Sequence, residues 1–187
     1  MNDQEQFIPH TKFGIKFISM GSMIDQNSPT IWRGPMLIKM LYNFLLKTDW
    51  GELDYLIIDT PPGTGDIHLT LCTEFNISCA ILVTTAQKVA MMDVRKAFYM
   101  FEKLKVNVLG IVENMSYQIE NNSENYLMGK KENTENFAQE LGTKVIARIP
   151  FMKQISESFD NSIPAVLDLN IAKFYNRIID IVTCTKK

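Results

Sequence analysis

Short, uninterrupted apolar runs separated by longer amphipathic stretches constrain the fold of this chain more than any other feature. Residues 56–58 (Leu-Ile-Ile), 80–83 (Ala-Ile-Leu-Val) and 108–112 (Val-Leu-Gly-Ile-Val) do not alternate in polarity and are too brief for helices. A strand that is apolar at every position is buried on both faces, as happens when helices cover both sides of a parallel sheet. The intervening stretches suit that arrangement. Met36, Leu37, Met40, Leu41, Phe44 and Leu45 recur at three-and-four spacing, and so do Ala90, Val94, Ala97, Phe98, Phe101 and Leu104. Both sets predict helices with one buried face. A strand is also expected over 15–19, the run 53–59 reads as a strand ending in an aspartate, and 145–149 gives a weaker strand stopped by Pro150. Residues 171–182 predict a closing amphipathic helix. Strands separated by helices give right-handed crossovers and a three-layer α/β fold with a mostly parallel sheet. The polar stretch 118–139 reads as a solvated loop followed by an exposed helix.

Composition removes several classes. A length of 187 residues fits one domain, 1–187. With 46% hydrophobic and 21% charged residues the chain has ordinary globular composition, not that of a disordered one. Its apolar runs fall far short of the ~20 residues of a membrane helix, and residues 1–6 lack a basic-then-apolar leader. Nineteen basic against 21 acidic residues leave a net charge of −2, without the footprint of a nucleic-acid binder. Three widely spaced cysteines do not form a disulfide framework. The expectation is a cytoplasmic domain with neither membrane nor nucleic acid as partner.

In open parallel sheets ligands bind beyond the carboxyl ends of the strands, which directs attention to 59–66, 84–87, 113–116 and Pro150. The string LIIDTPPGTGD (56–66) is the most informative of these. An aspartate closing a buried strand is costly unless a cation or hydrogen-bond donors answer it. Mg²⁺ beside nucleotide phosphates is a common answer. Two prolines then stiffen the backbone, and Gly63 would let a main-chain N–H approach an anion closely. The plainer alternative is that Asp59 caps a turn and the loop is merely rigid. The pair Gly63 and Gly65 lacks the third glycine of a dinucleotide fingerprint.

Four segments carry a resemblance: IWRGPM (31–36), WGELDYLIIDTPPGTGD (50–66), VTTAQKVA (83–90) and GIVENMSY (110–117). On these the chain resembles the Mrp/ApbC family of iron–sulfur cluster carriers, relatives of MinD and ParA among the phosphate-loop nucleotidases. The match is collinear over about 14–167. The resemblance implies an ATP-switched homodimer that holds a cluster and releases it to iron–sulfur apo-proteins. It makes Asp59 the Walker B aspartate, acting on Mg²⁺ through water, and sets Gly63 near the γ-phosphate. It makes Asn114 the asparagine that hydrogen-bonds adenine, with Ile149 and Pro150 lining the other side of the base. Arg33 matches a family arginine whose role stays unassigned beside the alternative of a surface ion pair.

Two departures qualify this. No glycine begins a G-x4-G-K-[ST] loop; Gly129-Lys130-Lys131 comes nearest. The expected fold therefore lacks the leading strand–loop–helix unit that cradles the phosphates, as in a domain shortened at its amino end. Hydrolysis by the chain alone should be negligible, since positioning and charge are nearly all of phosphoryl-transfer catalysis. The second departure is that Glu120 and Ser123 stand where many relatives carry the cysteines of a C-x-x-C pair. No iron–sulfur ligand is assigned, because thiolates are the usual ones. Cys72 and Cys79 are expected as small buried hydrophobes, and His10 and His68 suggest no metal site. Rival expectations are an interaction subunit completed by a separate chain bearing the phosphate loop, and a fragment without function.

Overall fold

In the computed structural model, which describes residues 6–23, 34–121 and 123–185, the first segment turns back at Phe13 and Gly14, both at positive φ (54° and 75°). This makes an antiparallel hairpin of β1 (His10–Lys12) and β2 (Ile15–Phe17). A strand was expected near 15–19, but it lies in an exposed two-stranded ribbon and not in a parallel sheet. Arg33 falls outside the described residues.

Two compact units share the chain, one ending at Phe75 and the other starting at Asn76. In the first, α1 (Gly34–Leu46) starts with Pro35 in its first turn, where a missing N–H costs nothing. Its end is pinned by the Trp50 indole, which donates to the Phe44 carbonyl at 2.9 Å. Here α2 (Asp66–Glu74) packs on α1, with the rings of Tyr42 and Phe75 5.4 Å apart. The run 53–59 does not form the expected strand. Leu53, Tyr55 and Leu56 are exposed, and Ile57 is 89% exposed. An extended run becomes a strand only where neighbours take up its N–H and C=O groups. Among the described residues β1 and β2 form strand ladders only with each other, and no ladder forms along 53–59.

The second unit holds the parallel sheet. Its elements are β3 (Ala80–Thr84), α3 (Lys88–Lys103), β4 (Val108–Glu113), β5 (Gln118–Glu120), β6 (Ser123–Asn125), α4 (Lys131–Glu140), β7 (Val145–Arg148), α5 (Lys153–Asp160), α6 (Leu169–Ala172) and α7 (Asn176–Cys184). Strands run in the order β3-β4-β7, all parallel. On one face Leu82 and Ile111 pack with Met91 of α3 and with Phe137, Ala138 and Leu141 from α4 and its end. On the other face Val112, Ile146 and Ile149 meet Phe174, Ile178 and Ile181. Helices and the segments beside them thus cover both faces of β4 and β7, while Val83 of β3 is exposed. Gly110 allows β4 and β7 to close up, since a Cβ there would lie 2.3 Å from the Ile146 side chain and 2.8 Å from the Lys144 carbonyl.

Two expectations are corrected here. Residues 118–125 form the hairpin β5–β6, and α4 is not an exposed helix: Thr134, Phe137 and Ala138 are buried. Their spacing of three and four makes a core-facing stripe. The closing helix is divided by residues 173–175 into α6 and α7, with Asp168 capping α6 through the Asn170 N–H at 2.8 Å. Among the described residues no helix is long and apolar enough to cross a membrane.

Candidate functional site

Where β4 ends, the chain turns through Asn114 and Met115, the latter at φ 49°. The Asn114 N–H donates to the Thr84 carbonyl at 2.7 Å, tying the turn to the end of β3. The Asn114 Oδ1 accepts the Met115 N–H at 3.0 Å. This fixes the carboxamide and leaves its Nδ2 hydrogens to donate elsewhere.

The strand end of β7 is laced to this turn. Ile149 N–H donates to the Glu113 carbonyl and Ser116 N–H to the Ile149 carbonyl, each at 2.9 Å. Phe151 N–H reaches the Tyr117 carbonyl at 2.7 Å. Ile149 and Pro150 are buried. Asn114, Ile149 and Pro150, far apart in sequence, therefore belong to one hydrogen-bonded wall at the carboxyl end of the sheet. Oriented amide donors beside a rigid backbone suit the edge of a flat heteroaromatic base.

Beneath the wall lies a charge network with no counterpart in the sequence reading. Glu113 has no exposed surface; its carboxylate accepts the Ser116 hydroxyl at 2.6 Å and the Arg148 Nε at 3.1 Å. Arg148 reaches on to Glu135 at 2.9 Å. A signal was available. A carboxylate closing an apolar run needs a cation, and Arg148 closes the neighbouring run at the position paired with Glu113. Close by, the Tyr126 hydroxyl donates to Glu124 at 2.6 Å, and its ring lies 5.8 Å from that of Tyr117. Burial, and then the bond to Glu124, push the Tyr126 phenol well above its ordinary value.

The expected phosphate-side residues lie in the first unit. Asp59 was expected at the end of a buried strand and is instead exposed, because that strand does not form. It has no hydrogen-bond or ion-pair partner among the described residues. Gly63 has φ 98° with open space around it. The loop leads into α2 through Gly65, whose carbonyl accepts the N–H groups of His68 and Leu69 at 3.0 and 3.3 Å.

The three cysteines lie apart from one another in the sequence. Cys72, Cys79 and Cys184 are free, and burial raises the Cys72 and Cys79 thiols away from the thiolate form. Among the described residues no three His, Cys, Asp or Glu side chains gather as a metal site. Glu120 and Ser123 face each other across the β5–β6 hairpin, a carboxylate and a hydroxyl where the resemblance sets thiolates.

Comparison with known proteins follows the same line. The family model for the NUBPL iron-transfer P-loop NTPase matches residues 1–183. The chain is 40% identical over 185 residues to the iron-sulfur cluster carrier protein of Aquifex aeolicus, covering 96% of this chain and 50% of that protein. It is 41% identical over 165 residues to the iron-sulfur cluster transfer protein NUBPL of Dictyostelium discoideum, covering 87% of this chain and 51% of that one. It thus spans about half the length of these curated relatives. A nucleotide-binding protein from Archaeoglobus fulgidus, solved in complex with ADP, superposes with a TM-score of 0.70 at 32% identity, covering 89% of this chain and 65% of that one.

Proposed function

The chain belongs to the NUBPL iron-transfer P-loop NTPase family, and from that premise we propose that it serves iron–sulfur cluster carriage in the cytoplasm, with the adenine of ATP against the wall of Asn114, Ile149 and Pro150. The observation that carries this reading is the lacing of 113–117 to 149–151, which presents the Asn114 amide donors beside a rigid backbone. The similarity to a protein solved with ADP adds support. In this reading Asn114 donates from Nδ2 to the base, and Ile149 and Pro150 limit its position. By the family resemblance, Gly63 is the residue whose N–H would meet a phosphate oxygen. Asp59 is one carboxylate of the kind that holds hydrated Mg²⁺, an ion that bridges and neutralises phosphate charge. The sequence contains no G-x4-G-K-[ST] loop to complete the phosphate side.

A second reading is favoured by two edges, one in each unit, that lack a strand partner among the described residues. There β3 has β4 on one side only, and the apolar run 56–58 is largely exposed without a ladder. Each is a template for an added strand. The chain would then act as a subunit completed by a separate chain carrying the phosphate loop, in place of or alongside a homodimer.

Titration with a fluorescent ATP analogue tests both readings. The chain alone should bind weakly and turn over ATP negligibly. Co-expression with a polypeptide bearing a G-x4-G-K-[ST] loop should tighten binding at least about tenfold, and Asn114→Ala should remove that gain. A turnover by the purified chain that Asp59→Ala abolishes would overturn the incomplete phosphate site. Binding indifferent to Asn114→Ala would overturn the base wall.

A further inference from the structure

Three hydrogen bonds close a ring around the turn that carries Asn114. The Glu113 carbonyl accepts the Ile149 N–H, and the Ile149 carbonyl accepts the Ser116 N–H, each at 2.9 Å. The third bond runs from the Ser116 hydroxyl to the Glu113 carboxylate at 2.6 Å. Between Glu113 and Ser116 lie only Asn114 and Met115. Met115 has φ 49°, a left-handed conformation that a residue with a Cβ seldom keeps without support. Its N–H is the donor that fixes the Asn114 carboxamide.

The two side chains of this ring are out of reach of a ligand. Glu113 has no exposed surface and Ser116 is 1% exposed, whereas Asn114 is half-buried. Replacing a buried ion pair by apolar residues of similar volume is often neutral for stability or better, so packing alone does not call for Glu113 and Arg148. The carboxylate instead spans the base wall. One oxygen holds Ser116 of the turn, and the other accepts the Nε–H of Arg148, the residue before Ile149.

We propose that Glu113 and Ser116 are positioning residues for Asn114, a role that rests on the reading of the wall as a nucleobase site. Arg148 fixes one carboxylate oxygen, so that the group cannot rotate away from Ser116. Ser116, held at both its N–H and its hydroxyl, keeps Met115 left-handed. The Met115 N–H then holds Oδ1 and aims the Nδ2 hydrogens of Asn114 at an acceptor on the edge of a purine.

The test is nuclear magnetic resonance of the full isotope-labelled chain, reading the order of the Asn114 carboxamide and its response to adenosine, a probe that needs no phosphate cradle. In the natural chain the carboxamide should be rigid, and its signals should shift with adenosine. Ser116→Ala should free the carboxamide and weaken adenosine binding about tenfold. Glu113→Gln should stay near the natural chain in both, because its amide can accept from Arg148 and donate to the Ser116 oxygen. The double variant Glu113→Leu, Arg148→Met separates positioning from stability. Its urea midpoint should recover relative to Arg148→Ala, yet carboxamide order and adenosine affinity should both stay lost. A carboxamide as rigid in Ser116→Ala and in the double variant as in the natural chain would overturn the proposal and leave the base wall standing. So would an adenosine affinity that follows the urea midpoint across the variants. Signals of the natural chain that ignore adenosine would overturn the base-wall reading itself, and the positioning role with it.

Discussion

Glu113 is a carboxylate with no exposed surface, and Arg148, 21% exposed at its side chain, answers it. Removing one partner of such a pair leaves a buried charge uncompensated, at a cost of about 3 kcal/mol or more. Arg148→Ala should lower unfolding free energy by about that amount in urea denaturation. The exposed pair of Arg95 and Glu140, at 41% and 58% side-chain exposure, sets the contrast. Glu140→Gln should cost under about 1 kcal/mol. Replacing Glu113 and Arg148 together by Leu and Met should recover much of the loss, because the desolvation of both charges disappears with them. An Arg148→Ala cost no larger than that of Glu140→Gln would show that water reaches Glu113. His68 offers a second measurement. It is buried on α2, and burial lowers its pKa below 6.5. The unfolded chain then binds the proton more readily than the folded one. This contribution is fully present above pH 6.5 and is lost as pH falls from there toward the folded value. The urea midpoint should drop over that interval, and His68→Gln should flatten the drop.

Secondary elements differed in how far their sequences disclosed them, and the difference is physical. Helices α1 and α3 were legible because their apolar stripes recur over three or more turns. The strands β3, β4 and β7 were legible as short continuous apolar runs, β4 and β7 because both of their faces pack into the core; in β3, Val83 stays 57% exposed. The equally apolar run 56–58 read the same way but stays unpaired, because strand formation depends on neighbours that a local pattern does not encode. The β5–β6 hairpin escaped detection because its six strand residues include one large aliphatic, Ile119, and no alternation. In α4 the stripe of Thr134, Phe137 and Ala138 was diluted by Asn and Glu on the other faces. The candidate site divides in the same way. Asn114, Ile149 and Pro150 follow adjacent parallel strands, so the strand ends that revealed them also bring them together. The Glu113–Arg148 pair needed the register of β4 against β7, which only the folded sheet provides.

For the molecule as a whole, the open question of cargo rests on thiolates. Iron–sulfur clusters are held by deprotonated cysteines, and potential and stability depend on those ligands. This chain has three cysteines, two half-buried with raised pKa and one exposed near the end of α7. None belongs to a gathered ligand set among the described residues. At the hairpin position where the resemblance sets such ligands, Glu120 stands opposite Ser123 in register, a carboxylate and a hydroxyl in place of thiolates. Anaerobic reconstitution with iron and sulfide, followed by gel filtration, should therefore leave the natural chain with substoichiometric iron and no stable chromophore. The double variant Glu120→Cys, Ser123→Cys supplies two thiols across the hairpin. It should gain a visible chromophore and elute as a dimer, because two ligands from each of two chains complete a four-thiolate site. A stoichiometric chromophore on the natural chain that survives gel filtration would show that other residues ligate the cluster. Failure of the double variant to gain one would show that the hairpin is not where this fold holds its cargo.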